Sequence, residues 1–229
     1  MNRLTIKDVI RIARDLLKNE TLIVPRQTVI DECAIPVDRV SEKCLDSIDP
    51  GLRSQLQLVD VFGGLLPIVQ KAYGHPIEIL EVEADGAVLY GDVKDYGTHA
   101  TIRFLKGITP CWVRFTIAKE LLHLYTDTTT IKGETPEHLF ASAKHARDKI
   151  LTDSTPLDDE QVAFYLAVEL FLPFKLRRTL LTPLWDHFGE ENAYPVAKAF
   201  MCPRAVIEQV RDDRYLDLSY RINSEVEKE

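Results

Sequence analysis

The chain has 229 residues, enough to bury a substantial core, and its 45% hydrophobic and 28% charged residues are the proportions of an ordinary globular protein. Its formal charge of −8 lacks the basic excess of a phosphate-binding surface, which argues against nucleic acid as a partner. No apolar run approaches the ~18 residues of a membrane span, the first residues lack a signal peptide's apolar core, and Cys33, Cys44, Cys111 and Cys202 form no C-x-x-C pair, so a cytoplasmic protein with reduced thiols and no membrane partner is expected.

The chain opens on a helix start. Thr5 is placed to cap, Asp8 follows three residues on, and Ile6, Val9, Ile10, Ala13, Leu16 and Leu17 form an apolar stripe that ends near Asn19. Pro25 opens a second helical stretch reaching Cys33, and Pro36 a third reaching Ile48. Residues 29–40 have the cadence of a helix-turn-helix. Asp38, Glu42, Asp46 and Asp49 crowd the helix that would read DNA, so helix packing is the better reading. Asp49-Pro50-Gly51 breaks the pattern, a further helix is predicted over 53–60, and Gly63-Gly64 makes the best candidate hinge. These features predict an N-terminal helical region over 1–62 and a second unit over 63–229.

After Gly74-His75-Pro76 the period changes from helical to alternating. Residues 77–82 and 87–90 flank Glu83-Ala84-Asp85-Gly86, a hairpin signal, and 99–105 supplies a third strand, which together predict a small antiparallel sheet. It precedes a helix over 114–125, R-F-T-I-A-K-E-L-L-H-L-Y, in which Phe115, Ala118, Leu121, Leu122 and Tyr125 recur at helical spacing. Lys119, Glu120 and His123 share the adjoining face. A polar connection and a helix over 136–151 follow, where His138 and His145 lie roughly in line on a solvated face.

Residues 155–160 form an acid-rich helix start, and 162–172 is nearly all apolar until Pro173 ends the run. Two acids interrupt it, Glu160 and Glu169. Nine positions at ~100° each set them on opposite sides, so only one faces the preceding helix. Ala163 and Ala167 share the side of Glu160 and would allow close helix approach, which makes Glu160 the better candidate for a site residue. Further on, Trp112, Trp185, Phe188 and Tyr194 read as core or groove aromatics. Residues 196–207 again follow a helix-turn-helix cadence, with Pro203 opening the second helix and Glu208, Asp212 and Asp213 spoiling a basic reading face.

The segment at 119–123 is the centre of the functional reading. In H-E-x-x-H two histidines one turn apart hold zinc on one helix face and the Glu acts as general base. Here Glu120 and His123 keep that spacing, and Lys119 stands in the first histidine's place.

Residues 114–123 resemble the R-F-T-[IL]-A-H-E-L-[GA]-H segment of the ImmA/IrrE metallopeptidases, 160–173 resembles that family's E-x-E-A-N-x-F-A-A-x-L-L-M-P segment, and 197–206 its closing A-x-x-F-x-V-S-x-x-A-V stretch. The resemblance implies an α+β, mostly helical zincin-like domain. It also implies a zinc site of two histidines and a later Glu, and partners among helix-turn-helix repressors of phage, mobile-element or stress-response circuits. Carried onto this chain, the metal ligands would be His123 and Glu160, or the position held by Val162, with Glu120 as general base. The departures are Lys119, Leu122, Val162 and Phe164.

A zinc peptidase needs three protein ligands and an open position for water. Deprotonating a lysine for coordination costs roughly 4 to 5 kcal/mol at neutral pH, and a protonated one repels the ion. The expectation is therefore a pseudo-peptidase without a metal cofactor, in which the Lys119 ammonium takes the ion's place between Glu120, Glu160 and His123 and a protein partner occupies the cleft. Two rivals remain: an active zinc endopeptidase that recruits His99, His138 or His145 as a substitute ligand, and a DNA-binding transcriptional regulator.

Overall fold

The computed structural model describes residues 4–33, 45–46, 56–83, 90–126, 156–182, 184, 193–211 and 213–226. Their architecture is α+β, mostly helical, with two small sheets. No helix among them is long and apolar enough to cross a membrane.

The first helix, α1 (Ile6–Leu17), starts where its capping chemistry places it. The Thr5 hydroxyl oxygen accepts from the Asp8 amide, and the Asp8 carboxylate accepts from the Thr5 amide at 2.9 Å. Its apolar stripe, Ile6, Val9, Ile10, Ala13 and Leu16, is buried. Strand β1 (Ile23–Pro25) leads into α2 (Arg26–Cys33), as the proline predicts. The third predicted helix, and the helix-turn-helix cadence it completes, lies largely outside the described residues.

Two features of the N-terminal stretch differ from expectation. Residues 57–59 are a strand, β2 (Gln57–Val59), not part of a helix: it pairs antiparallel with β1 in the register Ile23↔Val59 and Pro25↔Gln57. Leu58 and Val59 are buried in the process, and this long-range pairing outweighs a local helical pattern too short to stand alone. Gly63 and Gly64 belong to a π-helical turn (Val61–Leu65) capped by Asp60, whose carboxylate accepts from the Gly63 amide at 2.8 Å. A Cβ on Gly64 would stand 2.6 Å from the Thr21 carbonyl oxygen and 2.9 Å from the Leu22 Cα, so the missing side chain serves close backbone packing instead of a hinge.

The turn runs on into α3 (Leu66–Tyr73), closed by Gly74 at φ 81°. The main sheet then comprises β3 (Ile77–Val82), β4 (Gly91–Asp95) and β5 (Ala100–Leu105) in the order β3-β5-β4. It is mixed, not antiparallel throughout. β3 runs parallel to β5 (Ile77↔Ala100, Val82↔Leu105), and β4 runs antiparallel to β5 (Gly91↔Phe104, Asp95↔Ala100). The tight hairpin therefore joins β4 to β5, where Gly97 takes φ 76° and the Asp95 carboxylate accepts from its amide at 2.7 Å. β3 instead ends against β5, with the Lys106 amide donating to the Val82 carbonyl at 2.8 Å. The predicted strand at 87–90 lies outside the described residues except Tyr90, which precedes β4.

Helix α4 (Pro110–Tyr125) carries Pro at its first turn and is buried on every side from Arg114 to Leu124. Helix α5 (Asp159–Phe171) is capped by Asp158, which exchanges bonds with Gln161 in a capping box inside the acid-rich start expected over 155–160. A short helical turn (Phe174–Leu176) and a π-helical one (Arg177–Leu181) follow, then α6 (Ala193–Ala199), α7 (Arg204–Arg211) and α8 (Asp213–Val226). One hydrophobic cluster runs from Ile6 to Ile222, with α5 at its centre packed on α1 and α4.

Candidate functional site

The site is built where α4 and α5 cross. Ala163 and Ala167 are fully buried on α5 and let the helices approach, and Phe115 of α4 packs edge-to-face on Phe164 (5.8 Å between centroids) and Phe171 (5.4 Å). The strand β4 closes against α4 through Gly91, where a Cβ would collide with Thr116 Cγ2 at 2.3 Å. Thr116 lies one turn before Lys119. That contact between sheet and motif helix is legible in the sequence only as a glycine at a strand start, and sequence reasoning missed it.

Within this largely buried junction four polar side chains converge. Lys119 Nζ donates to Glu160 Oε2 at 2.6 Å and stands 3.2 Å from Glu120 Oε1, and His123 Nε2 lies 3.3 Å from the same Glu160 oxygen. The side chains of Lys119, Glu120 and His123 are 2%, 4% and 3% exposed, whereas Glu160 keeps 20%, so Glu160 is the group through which the cluster meets solvent. Burial on its own would raise the Glu160 carboxyl. The His123 contact and the Lys119 charge outweigh burial and hold it at about 2, well below the ordinary carboxylate range. Its place in the first turn of α5 also suits an anion.

Of the two positions open for the later acid of the motif, the Glu160 carboxylate reaches the motif helix, and Val162 is buried in the core of α5. Glu169 faces the other way, as the nine-residue separation requires. It accepts from Arg177 Nη2 at 2.9 Å and from the Tyr215 hydroxyl, and this buried triad ties α5 to α8. His99 is exposed on the β4–β5 hairpin, stacked on Tyr96 at 4.6 Å. His138 and His145 lie outside the described residues. Among the aromatics, Trp112 is half-buried and stacks on Tyr90 at 5.0 Å, but Tyr194 is 55% exposed beneath the Lys198 ammonium, so it is a surface group and not a core one. Trp185 and Phe188 lie outside the described residues.

The donor set does not fit a tetrahedral zinc site. His123 Nε2 and Glu160 Oε2 are two acceptable ligands, but the third position holds an amine hydrogen-bonded directly to the Glu160 oxygen. An ion here would have to displace that amine and strip its proton. Among the described residues, no group of three or more His, Cys, Asp or Glu side chains is arranged as a metal site.

The sequence matches no protein-family profile. No curated protein matches it either. Among solved structures, a Mycobacterium tuberculosis transcriptional regulator is similar at a TM-score of 0.34 and 13% identity over 93% of this chain. This chain spans 55% of that one, and a likeness of this strength carries no argument about fold or function.

Proposed function

We propose that the chain is a catalytically silent relative of the ImmA/IrrE metallopeptidases, a cytoplasmic protein that binds a protein partner and does not cleave it. The observation that carries the reading is the position of Lys119: its ammonium bridges Glu160 at 2.6 Å and Glu120 at 3.2 Å in a site where its side chain is 2% exposed. Taking a metal from between carboxylates would leave uncompensated negative charge in a low-dielectric interior, and a lysine supplies the compensating cation from within the chain. The helices then keep their crossing without the open coordination position that hydrolysis needs. Glu120 cannot serve as general base to a metal-bound water in this arrangement. It is instead one of the two carboxylates that neutralise Lys119.

The partner class that the family resemblance supplies is a helix-turn-helix repressor of a phage, mobile-element or stress-response circuit. A purified repressor of that class encoded beside this chain, mixed with it and passed over a sizing column, is expected to co-elute intact. Cleavage of the repressor that a chelator abolishes would overturn the proposal and favour the active zinc peptidase.

A further inference from the structure

The second edge of the main sheet, formed by β3, lies away from the α4–β4 contact and carries no further strand among the described residues. The register settles which backbone groups it presents. The Ala100 amide donates to the Pro76 carbonyl and the Lys106 amide to the Val82 carbonyl, so the even-numbered residues of β3, Glu78, Leu80 and Val82, turn their N–H and C=O groups to β5. The odd-numbered residues, Ile77, Ile79 and Glu81, turn theirs outward. Among the described residues no strand pairs with that side of β3, and no hydrogen bond reaches those outward groups. A six-residue edge whose outward groups pair with no described strand is a template for one more strand.

The side chains say which strand. Ile77 and Ile79 are half-buried against the core, and Leu80 is 38% exposed on the opposite face. Glu78, Glu81 and Glu83 are exposed along the same stretch, and of these Glu83 is paired with Lys106. A second copy of β3 would bring two sets of these three carboxylates together, which like-charge repulsion opposes. A strand with apolar residues toward Ile77 and Ile79 and lysine or arginine toward Glu78 meets both the apolar strip and the acids.

We infer that the outer edge of β3 is a docking site for a basic β-strand of a partner protein, added to the sheet by backbone pairing. This docking site is separate from the Lys119 cluster.

The test uses the full chain and, as probe, a capped eight-residue peptide of alternating lysine and valine, followed by amide hydrogen exchange. Binding is expected to slow exchange at Ile77, Ile79 and Glu81 at least tenfold and to leave Glu78, Leu80 and Val82, already bonded to β5, unchanged. The variant Glu78→Lys with Glu81→Lys alters two exposed side chains and is expected to weaken the peptide at least tenfold. Three results would overturn the inference: no alternating pattern at saturating peptide, binding indifferent to the charge reversal, or slowing at the same three amides that grows with protein concentration in the absence of peptide, which would assign the edge to a second copy.

Discussion

Glu160 connects the charge cluster to solvent, and its titration gives the site a measurable signature. The carboxyl is held at about 2 in the folded chain against an ordinary 4.5. A group whose folded value is depressed contributes stability that is complete above the unfolded value and is lost as pH falls toward the folded one. The contribution, on the order of 3 kcal/mol, is therefore expected at pH 7 and should drain away between about pH 4.5 and pH 2. Urea melts of the native chain across that window should show the slope, and Glu160→Gln should flatten it. Lys119→Met alone leaves two carboxylates facing a vacancy and is expected to destabilise by about 3 to 5 kcal/mol at pH 7, whereas Lys119→Met combined with Glu120→Gln and Glu160→Leu should recover most of the loss. If the single and triple variants melt alike, the cluster is not an interdependent ion-pair network. At this scale much was legible. The interval between Glu160 and Glu169 sets the two acids on opposite sides, and the small Ala163 and Ala167 beside Glu160 pick it as the one that faces α4. The partners of Glu169 were not legible, since Arg177 and Tyr215 reach it from separate segments.

Elements read well where the signal is local and poorly where pairing is distant. The capping box at Thr5 and Asp8, the proline entry to α2 and the apolar run ended by Pro173 are short-range chemistry, and each element lies where that chemistry puts it. The parallel pairing of β3 with β5 leaves no mark in either strand, and the hairpin at Gly97 is set by a pairing the local pattern does not reveal; the turn expected at 83–86 lies, Glu83 apart, outside the described residues. The same holds for β2, whose strand character comes from β1 more than thirty residues earlier. Close approach at this scale depends on two glycines. Gly91→Ala would drive a methyl into Thr116 Cγ2 at 2.3 Å and the Arg103 carbonyl oxygen at 2.9 Å, both on packed elements. Thermal unfolding of that variant should show a loss of about 1 to 3 kcal/mol, and a neutral result would mean the sheet can slide on α4 freely.

At the scale of the molecule, Arg114 joins the parts. Its Nη1 donates to the Met201 carbonyl at 2.6 Å and its Nη2 to the Val59 carbonyl at 2.7 Å, with Phe171 under the guanidinium, so β2, α4, α5 and the turn before α7 meet at one buried cation. Arg114→Met removes both bonds and strands two carbonyls. It is expected to cost about 2 to 4 kcal/mol and to be read as a lower urea midpoint. These contacts fix the Lys119 helix against β2 and the turn before α7, and under the proposed reading the Lys119 amine fills the place a metal ion would take. The direct measure is zinc content by mass spectrometry after equilibration with zinc and desalting, on the native chain and on Lys119→His. The account predicts far less than one zinc per native chain and close to one in the variant; a native chain holding one zinc, unchanged by the substitution, would contradict it.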